Sequence, residues 1–194
     1  MRILLIQGHP DAAHPHLCTA LENSYAAGAA SGGHEVRHIQ VAALTFPLLQ
    51  SQREWEHGAL PESLHQCQSD IAWAQHIVFF FPLWLGDMPA LLKGFLEQVA
   101  RPGFALAPVN ANQGFPKKAL TGRSAHIVVT MGMPGLVYRF YFRGHSIKSM
   151  KRNILNFVGI APVKDTVIGM AAQLSPDKAR RWLERMADFG RAAA

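Results

Sequence analysis

The stretch from His76 to Val99 constrains this chain more than any other. His76 leads into an unbroken apolar run, Ile77-Val78-Phe79-Phe80-Phe81. Consecutive apolar residues, rather than alternating ones, mark a strand buried on both faces of a parallel sheet. Pro82 has no amide for a ladder and is expected to stop the strand. A short loop, Leu83 to Met88, follows, and Pro89 opens a helix at a position where a missing N–H costs nothing. Ala90, Leu91, Leu92, Phe95, Leu96 and Val99 keep helical spacing. Open α/β sheets bind ligands where a buried strand's carboxyl end meets a helix's amino end. Here Pro82, Leu83, Trp84, Leu85 and Gly86 set large apolar groups beside free amides, a setting for a flat, partly polar ring.

The same alternation runs through the chain. Arg2 to Gln7 reads as a buried strand, Leu17 to Ala30 as a helix closed by Ser31-Gly32-Gly33, and Glu35 to Val41 as a second strand. Thr45 to Leu60 reads as an irregular excursion and Glu62 to Gln75 as a helix. Arg101 to Gly122, rich in Pro, Gly and Asn, is a long loop. Ser124 to Thr130 makes the fourth strand, Gly132 to Gly144 an aromatic loop, Ile147 to Phe157 a helix and Val163 to Met170 the fifth strand. Ser175-Pro176-Asp177 is a well-formed helix start, with the helix running to about Gly190. Strand and helix in strict turn specify a doubly wound five-stranded parallel sheet in one α/β domain spanning 1–194, flavodoxin-like in its order 2-1-3-4-5. The G-x-G-x-x-G of a dinucleotide fold does not follow the first strand, which argues against a Rossmann dehydrogenase.

Composition excludes some functions. With 49% hydrophobic and 16% charged residues, disorder is not expected. Met1 to Ile6 is too short for a signal peptide, and Ile77 to Leu85 is too short for a membrane span and broken by Pro82. Cys18 and Cys67 are read as free thiols in a reducing cytoplasm. The formal charge is +6. Arg139, Arg143, Lys148, Lys151 and Arg152 surround His145, and a second basic group lies on the last helix. A solvated face, or attraction of cofactor phosphates, accounts for these. Without a helix-turn-helix or an aromatic-interleaved basic module, nucleic acid is not an expected partner.

Three segments carry chemistry. Gly8-His9-Pro10-Asp11-Ala12-Ala13-His14-Pro15-His16 runs into the helix at Leu17 and Cys18, where free amides and the macrodipole favour a phosphate. His14 and His16 also invite a metal, but apart from Asp11 no cysteine or carboxylate cluster accompanies them, so phosphate explains them better and no metal is assigned. Thr130-Met131-Gly132-Met133 leaves the fourth strand. Tyr138 and His145 follow, residue types that handle protons near neutral pH.

Phe81-Pro82-Leu83 with Pro89-Ala90-Leu91-Leu92-Lys93-Gly94 resembles the NAD(P)H dehydrogenase (quinone) family of flavodoxin-like flavoproteins, as does His9-Pro10 after the first strand. The resemblance covers nearly the whole chain. It implies that His9, His14, Pro15, His16, Leu17 and Cys18 hold flavin phosphates. It also implies that Pro82 to Gly86 edge the isoalloxazine and that Thr130 to Met133 pass over its pyrimidine side. His14, Pro15 and His16 stand where the family has Ser, Phe and Asn, and Met133 replaces a glycine. Tyr138 and His145 correspond to a catalytic Tyr–His pair, one residue further apart than in the family.

The resemblance further implies a flavin cofactor, FAD or FMN, that accepts hydride from NAD(P)H and passes two electrons to a quinone-like acceptor. It implies a cytoplasmic homodimer with the sites at the subunit boundary. Azo or nitro reduction at the same site is the alternative chemistry. A regulatory subunit docked peripherally on a potassium efflux transporter is the alternative role. An acidic flavodoxin-type electron carrier does not match a basic chain.

Overall fold

A computed structural model describes residues 1–107 and 117–194. The strands are β1 (Arg2–Gln7), β2 (Glu35–Gln40), β3 (His76–Pro82), β4 (Ser124–Thr130) and β5 (Val163–Ile168). They form one sheet in the order β2-β1-β3-β4-β5, and every pairing is parallel. The helices are α1 (Leu17–Ser31), α2 (Gln52–His57), α3 (His65–Trp73), α4 (Ala90–Val99), α5 (Gly135–Phe140), α6 (His145–Ser149), α7 (Asn156–Val158) and α8 (Pro176–Ala192). A π-helical stretch, Met150–Leu155, joins α6 to α7. The doubly wound architecture read from the sequence is the one observed.

Alternate residues of each strand enter opposite layers. Leu4, Ile6, Ile77, Phe79, Phe81, Ile127 and Val129 pack under α3, α4 and the α6–α7 segment. Ile3, Leu5, Val78, Phe80 and Val128 pack under α1 and α8. Phe79, Phe80 and Phe81 are all 2% exposed or less. Each contributes about 1.5–3 kcal/mol of burial, which anchors the strand that leads to the expected ligand loop. α1 is held just as firmly. A Cβ on Gly28 would lie 2.0 Å from the Ala187 carbonyl oxygen, and one on Gly190 would lie 2.1 Å from that of Tyr25. The two helices therefore touch backbone to backbone.

Several boundaries differ from expectation. Pro82 is the last residue of β3, paired with Thr130, rather than a stop before it. Phe80 accepts from the Gly8 amide at 2.8 Å, so Phe80 and Pro82 face the β1 side, where the β1–β3 pairing ends at Gln7 and Phe80. The missing amide of Pro82 thus falls where the β1–β3 ladder ends. Pro89 is the residue before α4 rather than its first turn. The excursion at Thr45 to Leu60 contains α2, tied down where buried Arg101 donates to the carbonyls of Glu54 and Gly58, both at 2.8 Å. The aromatic loop contains α5, for which Pro134 supplies a preset N-cap. The next helix starts at His145, and α8 runs to Ala192. Of the long loop, 108–116 lies outside the described residues.

Candidate functional site

Beyond β1 the chain folds upon its own side chains. The His9 amide donates to Gln7 Oε1 at 3.1 Å, and the Asp11 amide donates to His9 Nδ1 at 3.1 Å. His9 is therefore a neutral acceptor at Nδ1 with its proton on Nε2. Burial, then neighbouring His16, holds its pKa below the ordinary value. Asp11 accepts from the Ala13 amide and bonds His14 Nδ1, both at 2.8 Å. The His14 bond is the largest cause of a carboxyl pKa well below the usual range. The rings of His9 and His16 stack at 3.6 Å, inclined by 20°.

His16 is the N-cap of α1, yet its side chain makes no capping bond, and the first turn carries no acid. The leading amides of a helix have no acceptor within it. His16 Nε2 lies 3.1 Å from Asp11 Oδ2 but out of line, and is buried with no hydrogen-bond partner. A buried imidazole nitrogen beside an uncapped helix end is chemistry that suits an anion. His14 and Pro15 stand exposed at its rim, and Leu17 is half-buried.

Below this loop, Cys18 Sγ meets Thr130 Oγ1 at 3.2 Å, joining α1 to the end of β4. Burial pushes the Cys18 thiol up to about 11, so the side chain is inert and only its amide is offered to a ligand. The Leu83 amide donates to the Thr130 carbonyl at 2.8 Å. The next residues are laced to the β5 exit: Met131 N–H to Ile168 O at 2.9 Å, Met170 N–H to Met133 O at 3.1 Å and Ala171 N–H to Met131 O at 2.9 Å. Thr130 and Met131 are thus buried scaffold. Gly132 is exposed and Met133 half-buried.

The loop after β3 is a tight hairpin. Trp84 and Asp87 exchange backbone hydrogen bonds of 2.8 and 3.0 Å, and the central residues, Leu85 and Gly86, have φ of 46° and 83°. Positive φ at both is the type I′ geometry. Leu85 has no steric right to it, and its side chain is fully exposed. Trp84 leans edge-on toward His9, with centroids 6.0 Å apart. The hairpin is moored from behind, where Asp87 Oδ1 accepts from the Met88 amide at 2.7 Å and from Ser146 Oγ at 2.5 Å.

Tyr138 is 2% exposed, and its hydroxyl accepts from the Ile147 amide at 3.1 Å. Burial raises its pKa. It caps α6 from within instead of offering a free hydroxyl. His145, the first residue of α6, is exposed after Gly144, whose φ is 60°. Loop β1–α1, the hairpin, the β4 exit and the α6 start therefore converge at the carboxyl ends of β1, β3 and β4. Sequence reasoning missed Asp87 and Ser146, which are 59 residues apart with no pattern linking them. It noticed Asp11 only in passing, although its i,i+3 spacing to His14 was a usable signal.

The sheet order, with ligand-facing loops at these strand ends, agrees with a family model described as a flavodoxin-like fold, matched over residues 1–189. The chain belongs to the flavodoxin-like family. This flavodoxin-like protein is 27% identical over 191 residues to an uncharacterized NAD(P)H oxidoreductase of Haemophilus influenzae, covering 96% of this chain and 92% of that one. It is 28% identical over 159 residues to the ribosyldihydronicotinamide dehydrogenase-like protein traD of Penicillium crustosum. That match covers 68% of this chain but only 58% of the relative's length. In fold it is similar to an NAD(P)H:quinone oxidoreductase from Methanothermobacter marburgensis, with a TM-score of 0.81 at 22% identity, covering 100% and 99% of the two chains. No helix among the described residues is long and apolar enough to cross a membrane.

Proposed function

We propose that this chain is a flavin-dependent NAD(P)H oxidoreductase that passes two electrons to a quinone-like acceptor. The observation that carries the proposal is the uncapped α1 amino end with the buried His16 Nε2, its ring stacked on His9, which in turn meets Trp84 of the hairpin edge-on. The residues present fit a flavin. The amides of Leu17 and Cys18 with His16 would hold its phosphate, FMN or the diphosphate of FAD. Leu83, Trp84 and the hairpin amides would hold the ring, with Gly132 and Met133 on its other border. Bound flavin would supply the redox chemistry between nicotinamide and acceptor.

The protein's own part is orientation, water exclusion and proton handling. The Asp87–Ser146 bond fixes the hairpin against α6, which keeps the Trp84 wall in place. Tyr138, through the Ile147 amide, sets the start of α6 and so the position of His145. His145 would give a proton to a reduced acceptor, whose charge is costly in an apolar site. We also propose a homodimer closing over this mouth. Trp84, Leu85, Leu136, Phe140 and Tyr141 are all at least half exposed, a concentration of large apolar groups that water does not favour. Two free, buried thiols support a reducing, cytoplasmic setting.

The absorbance spectrum of purified protein, mass determination of released cofactor, and turnover of NADPH with a quinone at low enzyme concentration test the proposal. Bound flavin with sustained turnover is expected. Failure to bind any flavin overturns the proposal. Bound flavin with negligible turnover favours a regulatory role.

A further inference from the structure

On the sheet edge away from the α1 loop lies a bowl of about 420 Å³ between α5, the α6–π segment and one face of β5. Its floor is Asp165 with Val167 beside it, two residues apart on β5 and hence on the same face. Ile147 supplies an apolar wall. Asp165 pairs with Arg139 and with Lys151, each at 2.9 Å. Arg143, Lys148 and Arg152 also line the bowl, and among the described residues none of them pairs with a carboxylate. Lys148, Lys151 and Arg152 fall at i, i+3 and i+4, a spacing at which like charges repel. Lys151 and Arg152 belong to the π-helical stretch, a rare geometry that is frequent at functional sites.

We propose that this bowl binds the phosphorylated ribose of a nucleotide. Five cations around one carboxylate leave a surplus of positive charge that a phosphate would neutralise, with Arg143 and Arg152 as its fork-shaped donors. Asp165 distinguishes the bowl from a simple anion trap. Each of its oxygens is engaged once, by Arg139 or Lys151, and a carboxylate oxygen accepts more than one bond. A sugar hydroxyl can therefore donate to it while the phosphate meets the arginines. Ile147 and Val167 suit the apolar face of the sugar, and the volume is that of a small-molecule site. The inference does not rest on flavin binding, although Tyr138 and Ile147, which set the start of α6, also border the bowl.

Calorimetric titration of the full-length protein with 2′-AMP, 5′-AMP, adenosine and pyrophosphate, at roughly physiological salt to screen diffuse attraction, tests it. At least one nucleotide should bind tenfold or more tightly than adenosine. Arg143→Gln with Arg152→Gln should cost tenfold or more in that affinity while the melting temperature and circular dichroism stay unchanged. Preference for 2′-AMP would identify a 2′-phosphorylated dinucleotide as the source, and preference for 5′-AMP an ordinary nucleotide. Asp165→Asn should weaken the nucleotide but not pyrophosphate, because only the nucleotide brings a hydroxyl. Equal binding of adenosine and nucleotides, or an unchanged affinity in the double variant, would overturn the proposal. A rise in affinity for both ligands in Asp165→Asn would overturn the ribose assignment.

Discussion

The imidazoles of His9 and His16 stack face to face at 3.6 Å, one at the end of β1 and the other at the start of α1. Two rings this close resist carrying two positive charges, and burial adds to that resistance at His9. His9 serves as the neutral acceptor that shapes the loop, and His16, at the N-cap of α1, keeps a buried Nε2 without a hydrogen-bond partner.

The first prediction follows from that division. His16→Ala should weaken riboflavin 5′-phosphate binding by about tenfold, or about 1.4 kcal/mol, and leave riboflavin binding nearly unchanged. His14→Ala should do less, because its exposed ring reaches the site only through Asp11. Fluorescence titration of apoprotein measures both ligands. An equal loss for the two would show that His16 does not address the phosphate.

Leu85 holds a left-handed conformation at the hairpin tip with its side chain fully in solvent. Such a backbone costs a leucine about 1–2 kcal/mol, and less for Asn. Leu85→Asn should therefore leave the monomer as stable or up to about 1 kcal/mol more stable, while shifting sedimentation from dimer toward monomer. A destabilised monomer would mean that the side chain packs within its own chain.

His76 and His126 are buried on neighbouring strands, and burial lowers both pKa values, to about 4 for His76. His76 donates to or accepts from Ser124 Oγ at 2.7 Å, and its Nε2 is a buried atom without a partner. A folded pKa below the unfolded value means that the unfolded chain binds protons first. Stability is then full above about pH 6.5 and falls as pH drops toward 4. Between roughly pH 7 and pH 5, His76 alone should remove about 2 kcal/mol. Urea unfolding at the two pH values should show a smaller drop in His76→Asn than in the parent.

His145 and Tyr138 should separate in kinetics. His145→Ala should slow flavin reoxidation by quinone about tenfold or more and barely alter reduction by NADPH. Tyr138→Phe leaves the Ile147 amide unsatisfied, so it should cost about 1–3 kcal/mol of stability. Its kinetic effect should follow that of His145 without a separate pH dependence. Stopped-flow traces of each half-reaction, beside urea unfolding, distinguish them. No change in either half-reaction for His145→Ala would make it a surface histidine.

Runs such as Ile77 to Phe81 settled the sheet from the sequence alone, because a strand apolar on both faces can lie only between two helical layers. The placement of the loop from Gly8 to His16 was legible for a related reason: strand, polar loop and helix start are contiguous in the chain, so its position at the end of β1 follows from local order. Tertiary structure decided what depends on distant partners. Nothing near Tyr138 in sequence shows that its hydroxyl is taken by the Ile147 amide, and nothing near Asp87 points to Ser146. The hairpin at Leu85 was hidden because leucine does not advertise a positive φ. The bowl at Asp165 was visible only as a cluster of basic residues until β5 placed a carboxylate beneath it. Charge patterning counts cations along a chain, but pairing is fixed by which strand folds against which helix, and that is a property of the whole sheet.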